Sequence, residues 1–322
     1  MIYNFLVIED RVYGSTDIKN PVAVALLKTE PLLRLKKIAQ FGVPDEYYHI
    51  TGYSRLDHSI GVMILLEKLG ASNEEQIAGL LHDVSHTAFS HTVDWVLGSN
   101  GAEDFQDERH SQFTNDPEMS AILIGGDLDP VRIFNFNNFG LLDSEIPDLC
   151  ADRIDYALRE FSKKDSEVCW KSLAVADGKI VFRDKESARL FADNFLSLQM
   201  NHWGGFEAVA RWHFFAKVLK RALDLKIIEF EDFYKDDIFV IKKLKANKDK
   251  EIQKILKMLS RKSLAGLPLS DDRAYKKFRY VDPPINEAGE IKRLTEMDPD
   301  FANKLKSAEK ANKEGMALPV LE

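Results

Sequence analysis

The sequence predicts a mostly α-helical fold with small β-hairpin elements. Apolar residues recur at three- and four-residue spacing through most of the chain from Pro21 to Lys262, the period of helices packed on one face. Strand-like alternation is confined to residues 1–15 and Val175–Phe182. Ser, Gly and Pro punctuate the helical runs where caps and stops are needed.

Phe5 and Val7 alternate loosely and predict a short strand or hairpin within residues 1–15. Leu32, Leu35 and Ile38 then recur at helical spacing until Gly42 stops the run. His58 opens a second run. Val62, Leu65, Leu66 and Leu69 follow it, so the histidine lies on the inward face. Gly70 ends that run. Ser72 and Glu75 read as a capping box, Glu75 reaching back to the cap. Ile77, Leu80, Leu81 and Val84 form the buried stripe of this third helix, and His82 and His86 share one of its faces. Pro147 and Asp148 suit the first turn of another helix. Its buried stripe is Ala151, Ile154, Leu158 and Phe161; Asp152, Tyr156 and Arg159 form a polar ridge beside it. Asp177-Gly178 turns a small hairpin within Val175–Phe182. Residues 186–230 read as helical around a break at Gly204-Gly205, with Trp203 and Trp212 as core. Lys242 to Lys262 reads as a solvated amphipathic helix with Ile252, Ile255, Leu256 and Leu259 inside. Gly266 to Pro284 is broken by Pro and Gly, and the polar residues after Met297 read as frayed turns.

The 322 residues suffice for one large domain or a domain with an appendage. The expected division is a core over 1–235, bearing its chemistry within about 30–165, and an α-rich appendage over 236–322. A net charge of -8 gives no global electrostatic case for nucleic-acid binding. A polyanionic substrate would need a metal or a local basic pocket. Cys150 and Cys169 make no metal or redox motif. The sequence carries neither a signal-peptide pattern nor an apolar run near the roughly 18 residues of a membrane span. A cytoplasmic protein is expected.

His58, His82, His86 and His91 are four of the eight histidines, gathered into a short part of the chain with Asp83 between them. His110 follows. Histidine is the commonest metal ligand and an acid or base near neutral pH. Together with a later aspartate, Asp152, this set offers nitrogen and oxygen donors suited to Mn, Fe, Ni, Mg or Zn. Adjacent residues on a helix diverge by about 100°. His82 and Asp83 share an ion only if it sits at the flank of their helix, with His58 and Asp152 arriving from neighbours.

These words resemble a known family. Arg55-Leu56-Asp57-His58-Ser59-Ile60-Gly61-Val62, His82-Asp83-Val84-Ser85-His86-Thr87-Ala88-Phe89-Ser90-His91 and Asp152-Arg153-Ile154-Asp155-Tyr156 are similar to motifs of the HD-domain metal-dependent phosphohydrolases. Within that superfamily the match is to the deoxynucleotide triphosphohydrolase branch. The resemblance covers roughly residues 20–230 and implies an HD-domain helical bundle. It implies that His58, His82, Asp83 and Asp152 hold a divalent metal ion. His86, His91 and His110 would contact phosphates or move protons, with Asp94 orienting His91. Arg55 and Arg153 would hold phosphate oxygens; Gln40, Tyr156 and Glu160 would face the sugar. The plainer reading of Arg55 and Arg153 is ion pairing with Asp57 and Asp155. Departures fall in residues 195–210. His202 matches a family histidine and Phe206 stands for a stacking tyrosine. Leu198, Ala208 and Val209 stand where cations are expected.

The implied activity is hydrolysis of a nucleotide, with triphosphate release from a dNTP as the specific form. A nucleotidase or phosphodiesterase is the alternative, and a nucleotide-sensing or nucleic-acid-binding module is the reading from a different class. The resemblance also implies homo-oligomers, and nothing points to a membrane partner.

Overall fold

A computed structural model describes residues 5–98 and 110–321 of the chain. Helices dominate, but the strands are more numerous than hairpins alone require, so the fold is mostly rather than purely helical. In chain order the strands are β1 (Leu6–Asp10), β2 (Gly14–Ile18), β3 (Leu173–Ala176), β4 (Lys179–Phe182), β5 (Leu269–Ala274), β6 (Pro284–Glu287), β7 (Glu290–Arg293) and β8 (Met316–Pro319). β1 and β2 form the N-terminal hairpin, one turn longer than residues 1–15 suggest. The β3–β4 hairpin gains β6 and β7 on one edge, β6 pairing parallel to β4 through Phe182 and Ile285. β5 pairs with β8.

Two apolar clusters make the interior. The first gathers the helices Arg55–Lys68, Asn73–Leu81, Ala151–Leu158 and Lys185–Leu198, with Leu65, Leu80, Ile154 and Phe195 fully buried. The second surrounds the helix Phe206–Asp224, where Phe215 meets Phe89, and it includes Leu256. Each such side chain contributes about 1.5–3 kcal/mol when fully buried. Residues after 235 enter both clusters: Ile285 and Phe301 the first, Val240 and Ile255 the second. Among the described residues no helix is long and apolar enough to cross a membrane.

Several local readings are corrected. The first helical run is two short helices, Pro21–Leu26 and Glu30–Leu35, the second with a proline in its first turn. The next helix begins at Arg55, three residues before His58, because Ser54 and Asp57 form its capping box. Asp57 therefore caps a helix and does not pair with Arg55. Ser72 does cap the Asn73–Leu81 helix, but Glu75 does not reach back; it accepts the amides of Leu141 and Leu142 at 2.7 and 3.1 Å. That helix stops at Leu81. His82 to His86 run on through tight turns, with the Val84 amide on Leu81 and the His86 amide on Asp83, so His82 and His86 share no helix face. Pro147 and Asp148 lie before the helix Ala151–Leu158, not in it. The lysine-rich stretch is two helices, Asp237–Ala246 and Lys250–Leu259, the second capped by Asp249. The polar residues after Met297 are not frayed. Asp298 caps a helix over Pro299–Glu314, and Phe301 and Ala308 anchor it to the core.

Candidate metal centre

His58 sits in the first turn of its helix and is fully buried. Its Nδ1–H donates to Asp155 Oδ2 at 2.7 Å. Arg159 Nε donates to the same oxygen at 2.7 Å, and Arg159 Nη2 donates to Asp10 Oδ2, on β1, at 2.7 Å. This carboxylate chain crosses the helix at Gly61, where a Cβ would strike both Asp155 and Arg159. His82 gives its own Nδ1–H to Gly79 O at 2.7 Å. With both Nδ1–H groups committed, both rings turn Nε2 toward one spot.

The two Nε2 atoms are 3.2 Å apart. Asp152 Oδ1 lies 2.8 Å from His58 Nε2 and 3.6 Å from His82 Nε2. Asp83 Oδ1 is 3.5 Å from His82 Nε2, and Asp83 Oδ2 is 4.0 Å from His58 Nε2. Two inward nitrogens and two carboxylates fit a divalent ion of the mixed nitrogen–oxygen class. The electrostatics agree. Burial opposes charge on His58, but the hydrogen bonds it donates to Asp152 and Asp155 outweigh it and push the ring up to about 9. Burial also opposes charge on Asp83 and Asp152. Arg55, His82 and His86 hold the first well below the carboxylate range, and His58 and His82 lower the second. The pocket attracts positive charge.

Arg55, itself buried, donates from Nη1 to Asp83 Oδ2 at 2.8 Å and from Nε to Ser90 Oγ at 2.9 Å. It thus aims a candidate metal ligand. His86 Nε2 is 3.1 Å from Asp83 Oδ1. Burial and the Arg55 charge keep that ring neutral, well below the ordinary histidine range. His91 stands edge-on to His86 at 4.9 Å, with Nδ1 3.5 Å from Asp94 Oδ2. His110 is brought near but not into the cavity lining: Ser85 Oγ lies 3.3 Å from its Nδ1 and Phe136 covers its ring at 4.2 Å.

The centre opens on a cavity of about 280 Å³ between the two apolar clusters. Gln40, Arg55, Arg153, Tyr156 and Glu160 all line it. Their polar atoms are not equally available. Glu160 accepts from His202 Nδ1 at 2.5 Å and from Trp203 Nε1 at 2.7 Å, and Tyr48 Oη meets His202 Nε2 at 3.0 Å. Arg153 donates to the carbonyls of Asp148 and Ser144 at 2.6 and 3.1 Å, so its pairing with Asp155 does not occur. Phe206 packs against the second cluster instead of lining the cavity. Trp203 and Trp212 are core residues that also line it. The sequence reading missed Tyr48 and Tyr53, and it missed Lys276, Lys277 and Arg279. These cations lie far beyond the last metal ligand in a stretch without periodicity, and no local signal marks them.

Residues 55–121 match the model of the HD domain. The uncharacterized protein YdhJ of Bacillus subtilis is 34% identical over 291 residues, covering 86% of this chain and 88% of that one. The metal-dependent phosphohydrolase cns2 of Cordyceps militaris is 33% identical over 183 residues, 57% of this chain and 49% of that protein, so the chain spans about half of that relative. Human deoxynucleoside triphosphate triphosphohydrolase SAMHD1 is 34% identical over 105 residues, 27% of this chain and 16% of that one. A phosphohydrolase structure from Bacteroides thetaiotaomicron shares the fold, with a TM-score of 0.65 at 20% identity over 92% of this chain and 95% of that one. The domain match opens at Arg55, on the helix that carries the first candidate ligand, and a relative aligns over most of both chains; the chain belongs to the HD-domain superfamily of metal-dependent phosphohydrolases.

Proposed function

We propose that the protein hydrolyses nucleotides, taking a deoxynucleoside triphosphate as substrate and releasing intact triphosphate. One observation carries this reading: His58, His82, Asp83 and Asp152 converge beside a cavity that aromatic and cationic side chains also line. At about 280 Å³ the cavity is near the lower end for small-molecule sites. Tyr48, Tyr53 and Trp203 offer ring faces and edges for a sugar and base.

A divalent ion on the four ligands would make water a nucleophile at neutral pH and draw charge from a phosphoryl oxygen. The water oxygen would join the α-phosphorus and give up a proton to solvent, the bond from that phosphorus to O5′ would break, and O5′ would take a proton. His91 lines the cavity with Asp94 beside its Nδ1, and it donates that proton. His86 stays neutral and holds Asp83 and His91 in register. Arg55 fixes the other Asp83 oxygen.

The test is a panel of dNTPs, NTPs, monophosphates and a generic phosphodiester with added Mn, Mg, Ni or Co, with the phosphate products separated. Triphosphate from dNTPs is the expected result. Orthophosphate from monophosphates, or diester cleavage alone, reassigns the substrate. No turnover by folded, metal-loaded protein moves the reading to a nucleotide sensor.

A further inference from the structure

A chain with a net charge of -8 repels a triphosphate unless cations are gathered where its tail lies. The stretch 195–210 supplies none at the positions where the family resemblance leads one to expect them: Ala208 and Val209 are fully buried in the second apolar cluster, and Leu198 packs on the first. Cations reach the cavity from elsewhere. Lys276, Lys277 and Arg279 line it, from the segment between β5 and β6.

That segment is built into place. Gln199 and Asn312 are both buried, and Gln199 Nε2 donates to Asn312 Oδ1 at 3.0 Å. Asn312 Nδ2 donates to Lys276 O at 3.2 Å, and Gln199 Oε1 accepts the Arg279 amide at 3.1 Å. Gly204 makes room for this pair; a Cβ there would come within 2.8 Å of Gln199 Nε2 and 3.0 Å of Asn312 Oδ1. Lys276 is 5% exposed, and its ammonium lies 3.1 Å from the centroid of Trp212, which lines the cavity too. Arg279 is close enough for its charge to act on the Tyr156 hydroxyl, one helical turn from the ligand Asp152.

We propose that Lys276, Lys277 and Arg279 form the subsite for the outer phosphates of a nucleoside triphosphate bound at the metal centre. The assignment rests on the hydrolytic reading above and deepens it. The metal ligands face the phosphate that reacts; the three cations balance the rest of the tail. A polyphosphate reaches both the metal ligands and these cations, so the site favours it over a monophosphate.

Inorganic tripolyphosphate is the probe, titrated by calorimetry into the full chain. Wild type should bind it more tightly than orthophosphate. The double variant Lys277→Ala with Arg279→Ala should lose about tenfold per cation removed, the equivalent of one charge-assisted contact each. Lys277→Arg, which keeps the charge on an exposed side chain, should retain wild-type affinity. For a dNTP, the double variant should raise KM far more than it lowers kcat. Equal tripolyphosphate affinity in wild type and double variant overturns the subsite, as does an absence of preference over orthophosphate. Should the double variant melt early, Lys277→Glu alone answers the question: unchanged affinity rejects the proposal, and weakened binding supports it. Turnover that survives His82→Ala sinks the hydrolytic reading. Turnover that needs His82, with binding indifferent to 277 and 279, sinks only the subsite.

Discussion

Asp155 is fully buried, and its Oδ2 receives both the His58 Nδ1–H and the Arg159 Nε–H. Partners of this kind fix ring orientation, and losing one typically costs 10–100-fold in metal affinity, by the central tendency for such carboxylates. Asp155→Asn should therefore weaken metal binding by about that factor in a calorimetric titration. His82→Ala and Asp83→Ala should cut hydrolysis by about a thousandfold or more, because each removes a ligand of the centre that supplies the nucleophile; circular dichroism should remain wild-type. Burial pushes His110 down to about 3, and burial pushes His49 and His213 down to about 4. Unfolded, each returns to about 6.5. Between these limits the unfolded chain binds more protons, so stability falls as pH drops from about 6.5 toward 4. Urea midpoints across that range should decline, and His110→Phe should flatten the decline. The candidate ligands His58, His82, Asp83 and Asp152 could be picked from the sequence because each stands within a short characteristic word. The pairing of Asp155 and of Arg55 was not. Asp155 had Arg153 and Arg159 within reach along the chain, and only the rotation of the helix against Arg55–Lys68 selects Arg159.

The helix Arg55–Lys68 carries the centre at its N-terminal end and a tight crossing at its middle. Gly61→Ala should drive a methyl into Asp155 and Arg159. Overpacking of this sort costs about 1–3 kcal/mol, visible as a lowered melting temperature, and metal affinity should fall with it because the displaced carboxylate is the one that orients His58. A normal melting temperature and normal metal binding in that variant would contradict the crossing. Periodicity revealed this helix and its neighbour Asn73–Leu81, since each buries one long stripe. It mislocated the start of the first and the end of the second. Glu75 has the spacing of a capping box, but the loop amides of Leu141 and Leu142 take its carboxylate, and nothing near residue 75 announces a loop more than sixty positions later.

Across the whole molecule, an ion that binds only the folded chain stabilises it by mass action, about 2.7 kcal/mol at a hundredfold excess over Kd. Melting with a divalent metal and with chelator should differ accordingly, and Asp83→Ala should abolish the difference. The helical character of the molecule was readable from local pattern. The four-stranded sheet was not, because Phe182 meets Ile285 across a separation that no window spans. The same separation has a consequence for biosynthesis. The last candidate ligand, Asp152, emerges from the ribosome more than a hundred residues before the segment held by Gln199 and Asn312. At about 5–20 residues per second, the interval is on the order of ten seconds. A nascent chain can thus gather its ligands while one wall of the cavity is still untranslated, and the finished reaction vessel closes last.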